Sequence, residues 1–286
     1  MSVGMGRVGL VLAACCLGIS GVVVATDVVV SPPVADPTVA LAPAASSTCA
    51  AAGPYVVPEL GSVGLPPALR LCPSGPLTVR VPGTVLDGMD LRGGVVVDAP
   101  GVVVRRSRIT GDGTGAYGVL TTAAGSVRIE DTTLTGRFDE AAIGGAGWTA
   151  ERVEIVGVSG DGAHAGAGSR LRASVLSRFE PGEDVDGVAV LAPDVVVEGT
   201  TVRMGERHRS AVSIAPGDGP PGPVVVRRNV LGGGDYTVLQ SVGAADAVEV
   251  VENRFARDAG RAPMRLAPAA AATDNTYLDG APVPTG

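Results

Sequence analysis

Lysine is missing altogether: all 22 basic residues among the 286 are arginine, which we read as a bias of GC-rich coding. Aromatic side chains make up only 3% of the chain although hydrophobic residues reach 45%, so valine and alanine must fill the core. That aliphatic content excludes a disordered chain. Basic charge is outnumbered by 29 acidic residues, leaving a net charge of −7 and a pI of about 4.9. The basic surface of a nucleic-acid-binding protein is therefore absent. Two histidines and four cysteines show no zinc spacing, and there is no nucleophile elbow. Gly232-Gly-Gly234 has neither the Lys nor the following helix of a phosphate-binding loop. No repeat carries a helical stripe. What is abundant is glycine, with 42 residues, and proline, with 22: a turn-rich chain without the glycine period of collagen.

Residues 1–26 read as an export signal, with Arg7 ahead of an apolar run from Val8 to Ala25 and small residues for cleavage around Ala25. The expected location is secreted, with no membrane span in the mature chain. Leu12-Ala-Ala-Cys15 resembles a lipobox, so lipid anchoring through Cys15 is the alternative. Residues 27–48 are rich in Pro, Ala and Ser and read as a linker. Cys49 and Cys72 form an even pair after cleavage, and an exported chain suggests one disulfide between them. Such a loop is worth on the order of 3 kcal/mol. Residues 49–83 are expected to be an N-terminal cap, 84–280 the body of the fold and 281–286 a tail.

The body repeats one unit: an apolar residue, two variable positions, a small polar residue, one variable position and a second apolar residue. It reads Val104-Arg-Arg-Ser107-Arg-Ile109, Ile129-Glu-Asp-Thr132-Thr-Leu134, Val226-Arg-Arg-Asn229-Val-Leu231 and Val250-Val-Glu-Asn253-Arg-Phe255, among eight copies 21 to 29 residues apart. Self-similarity at this period marks a solenoid. Alternation such as Val102-x-Val104 and Val195-x-Val197 marks strands. The expected fold is all-β: a single-stranded right-handed parallel β-helix of eight to nine turns, roughly 40 Å long at the spacing of stacked strands. Ser107, Thr132, Ser174, Thr200, Asn229, Asn253 and Asn275 recur at one bend, where side-chain hydrogen bonds along the axis would satisfy buried polar groups. Trp148 falls on the inward position of Val102, and Phe255 and Tyr277 hold core positions too.

Cys72-Pro-Ser-Gly-Pro-Leu-Thr-Val-Arg-Val-Pro-Gly-Thr-Val-Leu-Asp-Gly and Gly101-Val-Val-Val-Arg-Arg-Ser-Arg-Ile109 resemble secreted actinobacterial right-handed β-helix proteins of the pectate-lyase-like superfamily. The resemblance spans roughly residues 55–280 and implies an exported β-helix. Relatives often place a His ahead of an Asp or Ser before a Gly-Ile strand; here the segment is Asp184-Val-Asp186-Gly-Val, and the His is replaced. The superfamily includes lyases, hydrolases and inert scaffolds.

Loops on one side of a solenoid usually bind, and two consecutive loops here concentrate charge: Glu180-Pro-Gly-Glu-Asp-Val-Asp186 and Glu206-Arg-His-Arg209. Asp184, Asp186, His208 and Arg209 are the catalytic candidates. Arg137, Glu183, Arg207 and Tyr236 are the substrate-binding candidates. In a hydrolase, Asp184 and Asp186 would face one side about 6.6 Å apart, acting as acid and base on a glycosidic bond. In a lyase, the carboxylates would hold Ca²⁺, the one cofactor this reading calls for, and Arg207, His208 or Arg209 would remove a proton. A third reading is a non-catalytic glycan-binding or cell-surface scaffold, with Tyr117 or Tyr236 against sugar faces. The expected partner is an extracellular polysaccharide, met by a monomer. His164 reads as a solvent-exposed strand residue, and Phe138 and Phe179 as loop aromatics.

Overall fold

The structure, a computed structural model, describes Ser47–Thr48 and residues 63–182, 184–205, 208–217, 222–241 and 247–284. The expected export signal, Cys15, nearly all of the linker, Cys49, Glu183 and Arg207 lie outside the described residues. Three short strands make each winding, and equivalent strands stack in parallel into three sheets of ten, ten and nine strands. This is the right-handed parallel β-helix that the repeat predicts. Face A holds strands such as Val102–Arg105, Val127–Glu130 and Trp148–Glu151; face B holds Arg108–Asp112, Thr133–Arg137 and Glu154–Val158. Face C holds Tyr117–Thr121, Ala141–Gly145, Asp161–Ala165, Asp186–Val190, Ser210–Ile214, Tyr236–Gln240 and Ala262–Arg265.

The second apolar residue of each repeat forms one inward column on face B. Ile109 pairs with Leu134, Leu134 with Ile155 and Ile155 with Leu176, and Phe255 closes against Leu231. All are fully buried, each contributing about 1.5–3 kcal/mol. Trp148 aligns with Val127, and Val127 with Val102; its ring is fully buried, as the repeat implies. Phe138 and Phe179 differ from expectation: both are buried in the core because they turn inward under the loops that carry them.

The polar residue of the repeat occupies the corner between faces A and B. Asn253 Oδ1 accepts both the Asn229 N–H and Nδ2–H at 3.0 Å, and Asn275 Oδ1 accepts the same pair from Asn253. Thr200 N–H donates to Asn229 Oδ1, and Ser174 Oγ accepts from Val153 N–H. The residue just before this ladder takes a positive φ in successive windings, including Arg106 (48°), Asp131 (47°), Arg152 (53°), Ala173 (46°) and Arg228 (57°). That left-handed step makes the corner tight. It also aims charges outward, where Arg105 and Arg106 pair with buried Asp87, and Arg152 with Asp131.

Cys72–Ser74 and Leu77–Val79, expected in a cap, are strands of the helix itself, paired with Met89–Arg92 and Val95–Val97. Ahead of them Gly64 N–H reaches Arg152 O, and Leu65 N–H reaches Thr133 Oγ1, so this segment lies along face B. The C-terminal end closes by a turn: Thr276 bridges Pro282, and Val283 is buried against the core. Among the described residues no helix is long and apolar enough to cross a membrane.

Candidate functional site

Face C departs from simple alternation. In Ala141–Gly145 both Ala142 and Ile143 are fully buried, and in Ser210–Ile214 both Ala211 and Val212 are. A Cβ on Gly187, the equivalent position in Asp186–Val190, would strike the core side chains of Val202 and Met204. Two consecutive residues therefore face inward, and the residue before them and the residue after them both face out. One outward row holds Tyr117, Ala141 and Asp161, followed by Asp186 and Ser210. The other runs Val96, Leu120, Gly144, then His164, Ala189, Ser213, Leu239 and Arg265.

These rows meet in one hydrogen-bonded line. The Tyr117 ring lies over Gly144, where a Cβ would sit 2.4 Å from its Cε1; only glycine leaves room for it. Its hydroxyl meets His164 Nδ1 at 3.3 Å, with the rings edge to face at 5.7 Å. His164 Nε2 contacts Asp161 Oδ2 at 2.9 Å. A carboxylate only accepts, so Nε2 carries the proton and Nδ1 presents its lone pair to Tyr117. Asp161 Oδ1 accepts the Asp186 backbone N–H at 2.8 Å. Ser210 and Ser213 donate to the two oxygens of Asp186 at 2.5 and 2.6 Å, and Arg209 lies 3.5 Å away.

Burial pushes the Asp186 carboxyl above the ordinary aspartate range, with the two serine hydroxyls and Arg209 offsetting part of the rise. Burial also raises the Tyr117 phenol, helped by the negative charges of Glu140 and Asp161. His164 and Asp161 remain reachable, with side chains 16% and 15% exposed, whereas Asp186 is 1% exposed.

The candidates read from the sequence are only partly brought together. Asp186 and Arg209 adjoin. Asp184 lies exposed in the turn before Asp186–Val190, so strand alternation does not extend back to it and the two carboxylates do not share a face as a strand pair. His208 is buried with both ring nitrogens committed to backbone: Nδ1 accepts Gly205 N–H at 2.7 Å and Nε2 donates to Glu180 O at 3.0 Å. It ties two loops together and leaves no nitrogen for a substrate. Arg137 ends a face B strand and is exposed. Tyr236 lies on the outer side of face C, with the Arg265 and Arg261 guanidiniums 5.8 and 6.0 Å from its ring. Asp161 and His164 were not among the sequence candidates. Their signal is the parallel between Asp161-Gly-Ala-His164 and Asp186-Gly-Val-Ala189, one winding apart.

Among the described residues no three His, Cys, Asp or Glu side chains gather as a metal site. Calcium takes six to eight oxygens, but those of Asp186 are engaged by serines and those of Asp161 by an amide and an imidazole. Asp186 and Asp161 therefore do not fit a Ca²⁺ ligand set.

Fold and site together define a parallel β-helix with a polar line along the outside of one sheet. No protein-family model and no curated protein sequence matches the chain. Among solved structures it is similar to a double mutant of the tailspike protein of E. coli bacteriophage HK620 in complex with a pentasaccharide, at 13% identity and a TM-score of 0.51. That match covers 71% of this chain and 44% of the tailspike chain. A second double mutant of the same tailspike gives 13% identity and a TM-score of 0.50, over 69% and 43%. The A-module of a mannuronan C-5 epimerase from Azotobacter vinelandii matches at 14% identity and a TM-score of 0.32, over 69% and 79%. The chain thus spans less than half the length of the tailspike it matches, and the likeness is one of fold.

Proposed function

We propose that this protein is an exported, monomeric polysaccharide-binding β-helix that holds an extended acidic glycan along face C and cleaves it by β-elimination at His164 and Tyr117. The observation that carries this is the unbroken line from Tyr117 through His164 and Asp161 to Asp186, Ser210 and Ser213, crossing five successive strands. The tailspike of the same fold was solved with a pentasaccharide, which supports a sugar chain as ligand. Arg265 and Arg261 around Tyr236 offer cationic donors and a ring face, suited to a uronate carboxylate and a sugar plane.

Asp161 holds the proton on Nε2, so that the Nδ1 lone pair, which here meets the Tyr117 hydroxyl, serves as the base once a substrate takes that place, the logic of an oriented acid–base pair. Tyr117, its phenol raised by burial, keeps its proton and supplies it to the leaving oxygen. At 3.3 Å its contact with His164 is long and readily exchanged for contacts to a substrate. Elimination is favoured over hydrolysis by Asp184 and Asp186 because Asp186 has both oxygens occupied and is sealed from solvent, whereas inverting and retaining hydrolases need two reachable carboxyls across the bond. Export through residues 1–26 and a Cys49–Cys72 bridge belong to the same proposal, checked by cell fractionation and by a mass shift on reduction.

The test is a panel of acidic and neutral polysaccharides read for both retention and cleavage. Absorbance near 235 nm from unsaturated ends on a polyuronate, lost in His164→Ala, supports elimination. Retention without any cleavage would make the protein a scaffold. New reducing ends without absorbance would make it a hydrolase.

A further inference from the structure

Resting on that reading, we infer that the site takes an acidic glycan bearing a methyl-capped substituent, an O-acetyl or a methyl ester, two windings ahead of His164. The outer side of face C changes character at Tyr117. Beyond it the outward rows carry Asp161, His164, Asp186 and Ser213 beside Ala189 and Leu239. Before it one row runs Thr78, Val96 and Leu120, with Val96 and Leu120 consecutive on the way through Gly144 to His164. Leu120 therefore lies about 10 Å from His164 along the axis.

These side chains do not form a closed apolar surface. With Pro76, Leu77 and Tyr117 they line a groove of about 290 Å³, near the lower limit for small-ligand pockets. Its lining is mostly apolar, with the hydroxyls of Thr78, in register with Val96, and Thr114 as its polar side-chain groups besides Tyr117. The floor is tight: a Cβ on Gly94 would sit 2.4 Å from the Tyr117 carbonyl oxygen. Tyr117 is shared: it lines the groove, and its hydroxyl meets His164. A bare sugar, covered in hydroxyls, would leave those groups unpaired against Leu120 and Val96. A methyl group fits that lining, and burying one there discriminates by roughly tenfold or more.

The experiment uses one polyuronate in three forms, unmodified, O-acetylated and methyl-esterified, with the wild-type protein, Leu120→Asn and His164→Ala. Each is read for retention and for absorbance near 235 nm, with melting temperature as a folding control. The expected result is a preference of about tenfold for one modified form, and which form it is identifies the substituent. Leu120→Asn should lose that preference while acting on the unmodified polymer as the wild type does. If the wild type and Leu120→Asn treat all three forms alike, the substituent pocket is wrong while the elimination reading stands. A preference that survives in Leu120→Asn and in a second variant, Val96→Asn, also overturns it, since the discrimination then comes from elsewhere. If no form is retained or cleaved by the wild type, the functional reading itself falls and takes this inference with it.

Discussion

Asp186 shows how far one residue's environment can depart from what its position in a sequence suggests. Its carboxyl is enclosed, hydrogen-bonded by Ser210 and Ser213, and held above the ordinary aspartate range by burial. A raised folded-state value means the protonated form is favoured by folding, so its stabilising effect is complete below the unfolded value and is lost as pH rises through the folded one. Asp186→Asn, which stays neutral, should therefore gain in melting temperature relative to wild type as pH is taken from 4 to 7. A constant difference between the two proteins across that range would contradict this. Asp186→Ala instead leaves two buried hydroxyls unpaired and should cost about 1–3 kcal/mol in urea unfolding. His164→Ala tests a different property: turnover should fall by about 10²–10⁴ with little change in unfolding, because the ring stands on the outside of the sheet. Asn253→Ala, in the corner ladder, should do the reverse. It removes the acceptor for Asn229 and the donor to Val226 O, costing on the order of 3 kcal/mol with retention on glycan unchanged.

At the scale of the element, faces A and B were legible because their strands obey period two and their corner recurs with one small polar residue. Val102, Val104 and Ile109 could be assigned inward from spacing alone, and the burial of Trp148 followed from register. Face C was not legible in the same way. Gly187 and Val188 both turn inward, and that extra step reverses the direction a strict alternation assigns to neighbouring residues. Alternation also does not reach Asp184, because the strand begins only at Asp186, and it gives no sign that His164 stands beside Asp161 and Tyr117. The corner has its own physics: among the described residues nine windings place a residue there with positive φ, and of these nine Gly88 and Gly199 alone are glycine. Left-handed backbone costs a residue with a Cβ about 1–2 kcal/mol. Where the side chain is an arginine in an ion pair, such as Arg106 or Arg152, the contact offsets part of that cost. Ala173 has no such contact and is exposed at φ 46°. Ala173→Gly should thus raise stability by up to about 1 kcal/mol, whereas Gly199→Ala should lower it similarly, both read from denaturant midpoints.

At the scale of the whole molecule, each winding buries its apolar residues only against its two neighbours, so stability is a sum of nearest-neighbour interfaces and the outer surface is free to vary. The proposed use of face C draws on that freedom: corner A–B is consumed by the asparagine ladder and its ion pairs, while Tyr117, His164, Tyr236 and Arg265 stand on the outer side of C and are not part of the buried core. The same stacking fixes the length of what can bind. From Tyr117 to Ser210 the polar line spans five strands, about 19 Å at the strand spacing, and Tyr236 and Arg265 continue it for two more, to about 29 Å. If a glycan lies along the axis as proposed, it meets the reachable Tyr117, Asp161 and His164 first and Tyr236 and Arg265 further on, so affinity should climb with oligosaccharide length and level off once the chain passes roughly 30 Å. Calorimetric titration with a graded series of oligouronates checks this. Arg265→Ala should flatten the climb only for the longer members, because shorter ones held at His164 never reach it. A series in which the shortest oligomer binds as tightly as the longest would mean that the ligand crosses the windings at one point instead of following them.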